Sequence, residues 1–335
     1  MKSKGTVTVF GAGSWGTAIA KVLAENSFDV LLWGRESNVV NSIERFRENK
    51  LFLPGIKLPR SIHPRNDLDD DCFNVKFLIF SVPTQYIRTF LKTIKTKIKK
   101  DSILINASKG IEQKSMSSIY EIFNDVIPNV KSRYLTISGP SFAQDVARRL
   151  PTAVSIASFN NSVLSKTKSL FDNDYFRTYT SNDVIGVEIG GSVKNVIAIG
   201  AGIIDGVGHS ESTKAAFITR GLYETRILAE RLGAKRSTFL GLSGVGDLML
   251  TAYGNQSRNR NLGFMLGKGS KLKKILSSTQ MVAEGYFTSK AIHKVIKKSK
   301  VSSPILESIY GILYRNQDPK NLITNLLKKD VITDI

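Results

Sequence analysis

The 335-residue chain holds one cysteine, Cys72, so it can close no disulfide within itself, which fits a reducing compartment. Its three histidines, His63, His209 and His293, lie far apart in sequence; no zinc-ligand spacing can be composed from them, and no metal is expected. Also missing are a Pro/Ser-rich linker, a low-complexity tract and an internal repeat, which excludes a solenoid or a fibrous chain. No apolar run approaches the ~20 residues that a bilayer span requires, so membrane insertion is not expected. The opening "MKSKGTVTVFGAGSWGTAIAKVLA" sets basic residues before an apolar run, as a signal peptide does. Three glycines break that run and no convincing cleavage site follows, so the expected location is cytoplasmic.

Acidic side chains are scarce beside basic ones, with 28 Asp and Glu against 48 Lys and Arg and a formal charge of +20. The clusters "KTIKTKIKK", "KGSKLKK" and "KVIKKSKV" alternate lysine with Ile, Leu or Val, as the solvated faces of amphipathic elements do. No arginine-and-aromatic pattern is interleaved with them, so a nucleic-acid partner is not expected. A positive field of this size attracts anionic small molecules as well.

What is present alternates. Thr6–Phe10, Val30–Trp33, Phe77–Val82, Ile103–Ser108, Tyr134–Gly139, Thr152–Ser158 and Tyr175–Ser181 read as short strands. Helical periods such as "PTQYIRTFLKTIKTKI" and "SVLSKTKSLFDN" lie between them. The pattern predicts a mostly parallel sheet with helices on both faces. After Ser181 the strand signal fades, and Ile185–Ile204, Ser212–Leu232, Phe287–Lys298 and Pro304–Tyr314 read as helices. Immediately after the first strand, "VFGAGSWG" supplies Gly11, Gly13 and Gly16 at G-x-G-x-x-G spacing, opening a helix. Such glycines make the turn, admit pyrophosphate to the backbone and let helix meet strand, while the helix N-terminus faces the phosphates. The expectation is therefore an α/β chain: a Rossmann-like, doubly wound dinucleotide-binding domain over residues 1–182 and an all-helical substrate domain over 183–335. At the end of the second strand Arg35 stands where NAD sites usually carry Asp or Glu. That choice favours the 2′-phosphate of NADP, or use of both NAD and NADP.

Several polar clusters carry chemistry. Lys109 in "INASKGIE" and Gly139 with Ser141 in "ISGPSFAQDV" follow strand ends, where open α/β sheets bind ligands. In "GLSGVGDLMLT", Asp247 and Thr251 sit among glycines and apolar residues; Asp247 reads either as a helix N-cap or as a site carboxylate. Ser257, Arg258, Asn259 and Arg260 gather donors for a phosphate clamp, with a solvated loop as the rival reading. Lys194, in the small and apolar "GGSVKNVIAIGAG", is either a snorkelling surface lysine or a buried functional one.

The segments "GAGSWGTA", "ASKGIE", "ISGPSFA", "LPTAVSIAS", "GGSVKNVIAIGAGIIDG", "TRGLYE", "GVGDLMLT", "NQSRNRNLG" and "MVAEGYFT" span nearly the whole chain. In that order they resemble the bacterial NAD(P)-dependent glycerol-3-phosphate dehydrogenase family. The resemblance implies reduction of dihydroxyacetone phosphate to sn-glycerol 3-phosphate for phospholipid synthesis. It implies Ser14, Trp15 and Arg35 as NADPH contacts, Lys109 touching cofactor and substrate, Gly139 and Ser141 facing substrate, and Ala143 on the cofactor side. Lys194 matches the proton-transferring lysine, with Asn195 and Thr251 as neighbours. Asp247, Ser257, Arg258 and Asn259 would complete the substrate pocket, Arg258 also reaching the cofactor with Val282 and Glu284. A homodimer through the helical part is a further expectation. The rivals are a β-hydroxyacid or 6-phosphogluconate type dehydrogenase, and a nucleotide-sensing regulator that would bind the cofactor without turnover.

Overall fold

A computed structural model describes residues 3–278 and 283–323 of the chain. The chain divides into two compact units, one formed by residues up to Ser108 with Ile119–Val187, the other by Lys109–Ser118 with the residues from Glu188 onward. The ten-residue excursion 109–118 thus leaves the strand-rich half of the sequence to join the helical unit.

The first unit contains β1 (Thr6–Phe10), α1 (Ser14–Glu25), β2 (Asp29–Trp33), α2 (Ser37–Phe46), β3 (Ile62–Arg65), β4 (Phe77–Phe80) and α3 (Thr84–Ile94). It continues with β5 (Ile103–Asn106), α4 (Ile119–Val126), β6 (Tyr134–Ser138), α5 (Ala143–Ala147), β7 (Thr152–Ala157), α6 (Asn161–Phe171) and β8 (Phe176–Ser181). These strands form one sheet in the order β3-β2-β1-β4-β5-β6-β7-β8. All neighbours are parallel except β6 and β7, which run antiparallel. Alternation within each strand builds two cores. Val7, Val9, Val30, Leu32, Ile79, Ile105 and Ile137 pack with α1, α5 and α6 on one face. Phe10, Leu31, Leu78, Phe80 and Leu104 pack with α3 and α4 on the other. Strands buried on both sides read as unbroken apolar runs, which is why they stand out in the sequence. The edge strand β3, "IHPR", does not: only Ile62 is buried, and Pro64 is tolerated because an edge strand needs no second ladder.

The second unit holds α7 (Val184–Val207, whose first turn belongs to the first unit), α8 (Glu211–Arg231), α9 (Asp247–Tyr253), α10 (Arg258–Gly267), α11 (Leu272–Ser278), α12 (Glu284–Ser299) and α13 (Pro304–Arg315). The expected absence of a span-length apolar segment requires correction. α7 is 24 residues long and apolar enough to cross a bilayer by length and composition, yet its most apolar stretch is wholly buried in the protein. Its apolarity serves a core helix that is covered all round.

Glycines in two helices bring α7 and α10 into backbone contact. A methyl group at Gly202 would strike the Arg260 carbonyl oxygen, and one at Gly263 would strike that of Ile199. Gly206 and Gly267, one turn further along each helix, meet in the same way. Small residues spaced by four let helix backbones touch, and here they carry the N-terminus of α10 close to the middle of α7.

Candidate active site

In the first unit the glycine motif takes the conformation its spacing predicts. Gly11 has φ +111°, and an added Cβ would meet the Ser81 backbone; a Cβ at Gly16 would strike the Gly11 carbonyl oxygen. Gly13 is the N-cap of α1 without any side-chain cap, and nothing lies within 4 Å of where its Cβ would be. The opening amides of α1 therefore lack intrahelical acceptors and sit beside an open, side-chain-free backbone, a cradle that fits the pyrophosphate of a dinucleotide. The Ser14 hydroxyl donates to the Phe52 carbonyl at 2.5 Å, so the helix-opening backbone rather than this side chain is left for a ligand. Trp15 packs partly buried against the core, its indole N–H without a partner. Arg35 stands exposed just past β2, where its guanidinium meets Glu36 at 3.0 Å. Such an exposed pair contributes little and leaves the arginine free to exchange partners. Gly139, with φ +156°, lies against the Val154 backbone after β6, and the Ser141 hydroxyl closes that turn on the Gly139 carbonyl at 3.0 Å. Ala143 opens α5 and packs partly buried against the same core.

Gly16→Ala is expected to weaken NADPH binding by roughly tenfold or more, since forcing a methyl into a packed backbone contact costs about 1–3 kcal/mol. Fluorescence titration measures it; an unchanged dissociation constant would remove the glycine motif from the cofactor reading.

In the second unit the polar residues converge on one carboxylate. Asp247, 1% exposed, opens α9 after a π-helical turn over Leu242–Gly246. Gly190 of α7 packs against that turn, where a Cβ would lie 2.7 Å from the Ser243 carbonyl oxygen. One oxygen of Asp247, Oδ2, accepts from Lys109 Nζ at 2.6 Å; the other, Oδ1, accepts from Lys194 Nζ. Lys194 Nζ also donates to Thr251 Oγ1 at 2.8 Å, and Thr251 in turn donates to the Asp247 carbonyl at 2.6 Å. Lys194 is 8% exposed, so it does not snorkel; Asp247 does not cap its own helix, because both oxygens are taken by lysines. Burial and, less strongly, the Lys109 cation bring Lys194 down to about 7 against the upward pull of the Asp247 carboxylate. Burial works against the Asp247 charge too, but the Lys109 and Lys194 cations outweigh it and hold the carboxyl below its usual range.

The clamp residues occupy the first turn of α10 rather than a solvated loop. Ser257 is its N-cap, the hydroxyl accepting from Arg260 N at 3.2 Å. Arg258 is exposed at the first helical position, within the field of Glu284, which opens α12. Asn259 is a staple: Nδ2 donates to Asn195 Oδ1 at 2.9 Å, and its Oδ1 accepts from Gly285 N at 2.9 Å. It thereby ties the neighbour of Lys194 to the start of α12. Arg260 turns away from this group to Asp205, at 2.7 Å. Val282 lies outside the described residues.

Ser192 carries a role the sequence reading passed over. Its buried hydroxyl accepts from Gly110 N at 3.0 Å and donates to the Glu188 carbonyl at 2.6 Å. With Lys109 held by Asp247, the Lys109–Gly110 pair has both a side-chain and a backbone anchor. A hydroxyl inside an otherwise apolar helix is the signal that could have found it. Ser192→Ala should strand the Gly110 amide, costing about 1–3 kcal/mol and loosening Lys109. Paired denaturation and steady-state kinetics check this; wild-type stability together with wild-type kcat/KM would contradict it.

Residues 6–164 match the family model described as the NAD-dependent glycerol-3-phosphate dehydrogenase N-terminus, and residues 183–324 match that of its C-terminus. The chain belongs to the NAD-dependent glycerol-3-phosphate dehydrogenase family. It is 41% identical over 323 residues to a glycerol-3-phosphate dehydrogenase (NAD(P)+) of Carboxydothermus hydrogenoformans, covering 96% of both chains. It is 42% identical over 332 residues to that of Syntrophobacter fumaroxidans, covering 99% of this chain and 98% of the relative. The crystal structure of glycerol-3-phosphate dehydrogenase from Coxiella burnetii superposes with a TM-score of 0.92 at 34% identity, covering 97% of this chain and 99% of that one.

Proposed function

We propose that this chain catalyses the reversible NAD(P)H-dependent reduction of dihydroxyacetone phosphate to sn-glycerol 3-phosphate. The observation that carries the reading is the buried Asp247 holding Lys109 and Lys194 on its two oxygens in a family member that also keeps the glycine motif. A carboxylate between two ammonium groups leaves one net positive charge to meet a carbonyl oxygen as it becomes an alkoxide.

When bound, reduced nicotinamide supplies the hydride for C2 of the substrate. The chain supplies the rest. Lys194 as ammonium gives its proton to the oxygen on C2 during reduction; as neutral amine it takes the hydroxyl proton during oxidation. Burial that brings Lys194 to about 7 makes both forms available near neutral pH. Asp247 and Thr251 hold its Nζ, and Lys109 and Asn195 orient the carbonyl. Ser257, Arg258 and Asn259 take the phosphate, so binding energy away from C2 positions C2. Gly139 and Ser141 face the substrate. Gly11, Gly13, Ser14, Trp15, Gly16, Ala143, Glu284 and Val282 serve the dinucleotide. Residues 1–182 are thus the dinucleotide-binding part and 183–335, joined by Lys109, the substrate part. Arg35 supports a preference for NADPH, because an exposed guanidinium can pair bidentately with a 2′-phosphate. The same proposal places the enzyme in the cytoplasm as a homodimer that feeds phospholipid synthesis.

The test is loss of nicotinamide absorbance with dihydroxyacetone phosphate, NADH and NADPH compared. Substrate-dependent oxidation, faster with NADPH, is expected. No oxidation with either cofactor would reject the reading, and equal rates would reject the preference.

A further inference from the structure

The positive charge is not spread evenly. Residues 248–306 contain eleven lysines and arginines and a single carboxylate, Glu284, so half of the net charge of +20 falls in this stretch. The reaction accounts for Arg258, while Arg260 is neutralised by Asp205. The remaining nine are lysines.

α12 organises four of them. Lys290, Lys294, Lys297 and Lys298 are all exposed, while Ala291, Ile292, Val295 and Ile296 between them are buried. Positions i, i+4, i+7 and i+8 fall on one side of a helix, giving a cationic stripe about 12 Å long. Among the described residues no carboxylate pairs with any of the four. The helix dipole accounts for Lys297 and Lys298 in the last turn, and Lys294 donates to the Gln113 carbonyl at 3.2 Å, but neither accounts for Lys290 in the middle. α13 enlarges the patch: Arg315 stands over the Tyr310 ring at 5.3 Å and Lys290 over the Tyr314 ring at 5.5 Å. The one carboxylate whose field reaches His293 beneath them is Glu307.

We propose that this face of α12 docks the protein on an anionic bilayer surface, by charge alone and without insertion. The partner follows from the chemistry of the patch. Its stripe on α12 is lysine throughout, a row of point charges that suits a diffuse anionic plane, and the one guanidinium of the patch, Arg315, is stacked on Tyr310. Its rings are already committed. Tyr310 stacks on His293 at 3.8 Å and on Tyr314 at 5.1 Å, and Tyr314 stacks on Tyr286 at 4.8 Å, leaving no free platform for a nucleic-acid base.

Flotation of the full chain with phosphatidylcholine vesicles, with and without phosphatidylglycerol, tests this at low and high salt. Binding is expected only to the phosphatidylglycerol vesicles and only at low salt, since exposed charges are screened within about 10 Å at 0.1 M. The triple variant Lys290→Gln, Lys297→Gln, Lys298→Gln should bind these vesicles roughly 100-fold more weakly, with turnover unchanged. It keeps most of the net charge, so near-wild-type binding by this variant would assign the effect to the whole molecule and overturn the proposal. Absence of wild-type binding to the anionic vesicles would do the same without any variant. Tighter retention by duplex DNA than by anionic vesicles would replace the bilayer with a nucleic acid.

Discussion

Lys194→Ala is expected to lower kcat in both directions by about 10²–10⁴-fold, the usual contribution of a positioned proton donor or acceptor. The dissociation constant for NADPH should hardly move, because the glycine motif and Arg35 belong to the first unit while Lys194 sits on α7. The pH profile of the wild type is the companion measurement. Reduction needs the ammonium form, so its rate should fall as pH rises through about 7; oxidation needs the neutral amine and should rise over the same range. In the variant both limbs should disappear. A variant with near-wild-type turnover would end the assignment of Lys194. Identical pH profiles for the two directions would show that a different group moves the proton.

Asp247→Asn should have the second large effect, and it separates holding from reacting. The substitution leaves two buried or half-buried ammonium groups without a counter-charge, which in comparable settings costs about 3–5 kcal/mol. It also removes the interaction that pulls Lys194 upward, so the amine should titrate lower still and the reduction limb should shift to more acid pH. The stability deficit has a defined sign with pH. The loss is felt in full only where Lys194 stays charged in the variant, below its further-lowered value. As pH rises from there to about 7 the variant's amine is neutral and the deficit should shrink; above about 7, where the amine is neutral in both proteins, it should level off at the part due to Lys109. Urea unfolding of both proteins on either side of neutrality measures this. An equal deficit at both pH values would mean that Lys194 does not titrate there.

Lys109 and Lys194 lie 138 and 53 residues from Asp247 in sequence. That distance explains why the sequence could nominate each residue but not their common partner. Local pattern gave an N-cap and a carboxylate equal standing for Asp247, since both place an acid at a helix start. The contact that chooses between them depends on the Gly190 approach and the π-helical turn, which no local period encodes. Asn259 is a similar case: a donor-rich cluster beside an arginine reads as a phosphate clamp, whereas the fold first uses its amide to join Asn195 to Gly285.

By itself the sequence determined what depends on neighbours along the chain. A buried strand such as β4, FLIF, has no polar residue to break its apolar run. The turn at Gly11 needs a positive φ, and α7 and α13 bury mostly apolar side chains along their length. The tertiary structure decided what depends on meetings across the chain. It reversed β7 against β6, added the edge strand β3 whose exposed face gives no apolar signal, and moved residues 109–118 into the helical unit. It also set one carboxylate between two lysines. A single buried charge has no periodicity to announce it, and its partners are fixed only when packing has removed the water that would otherwise hold them.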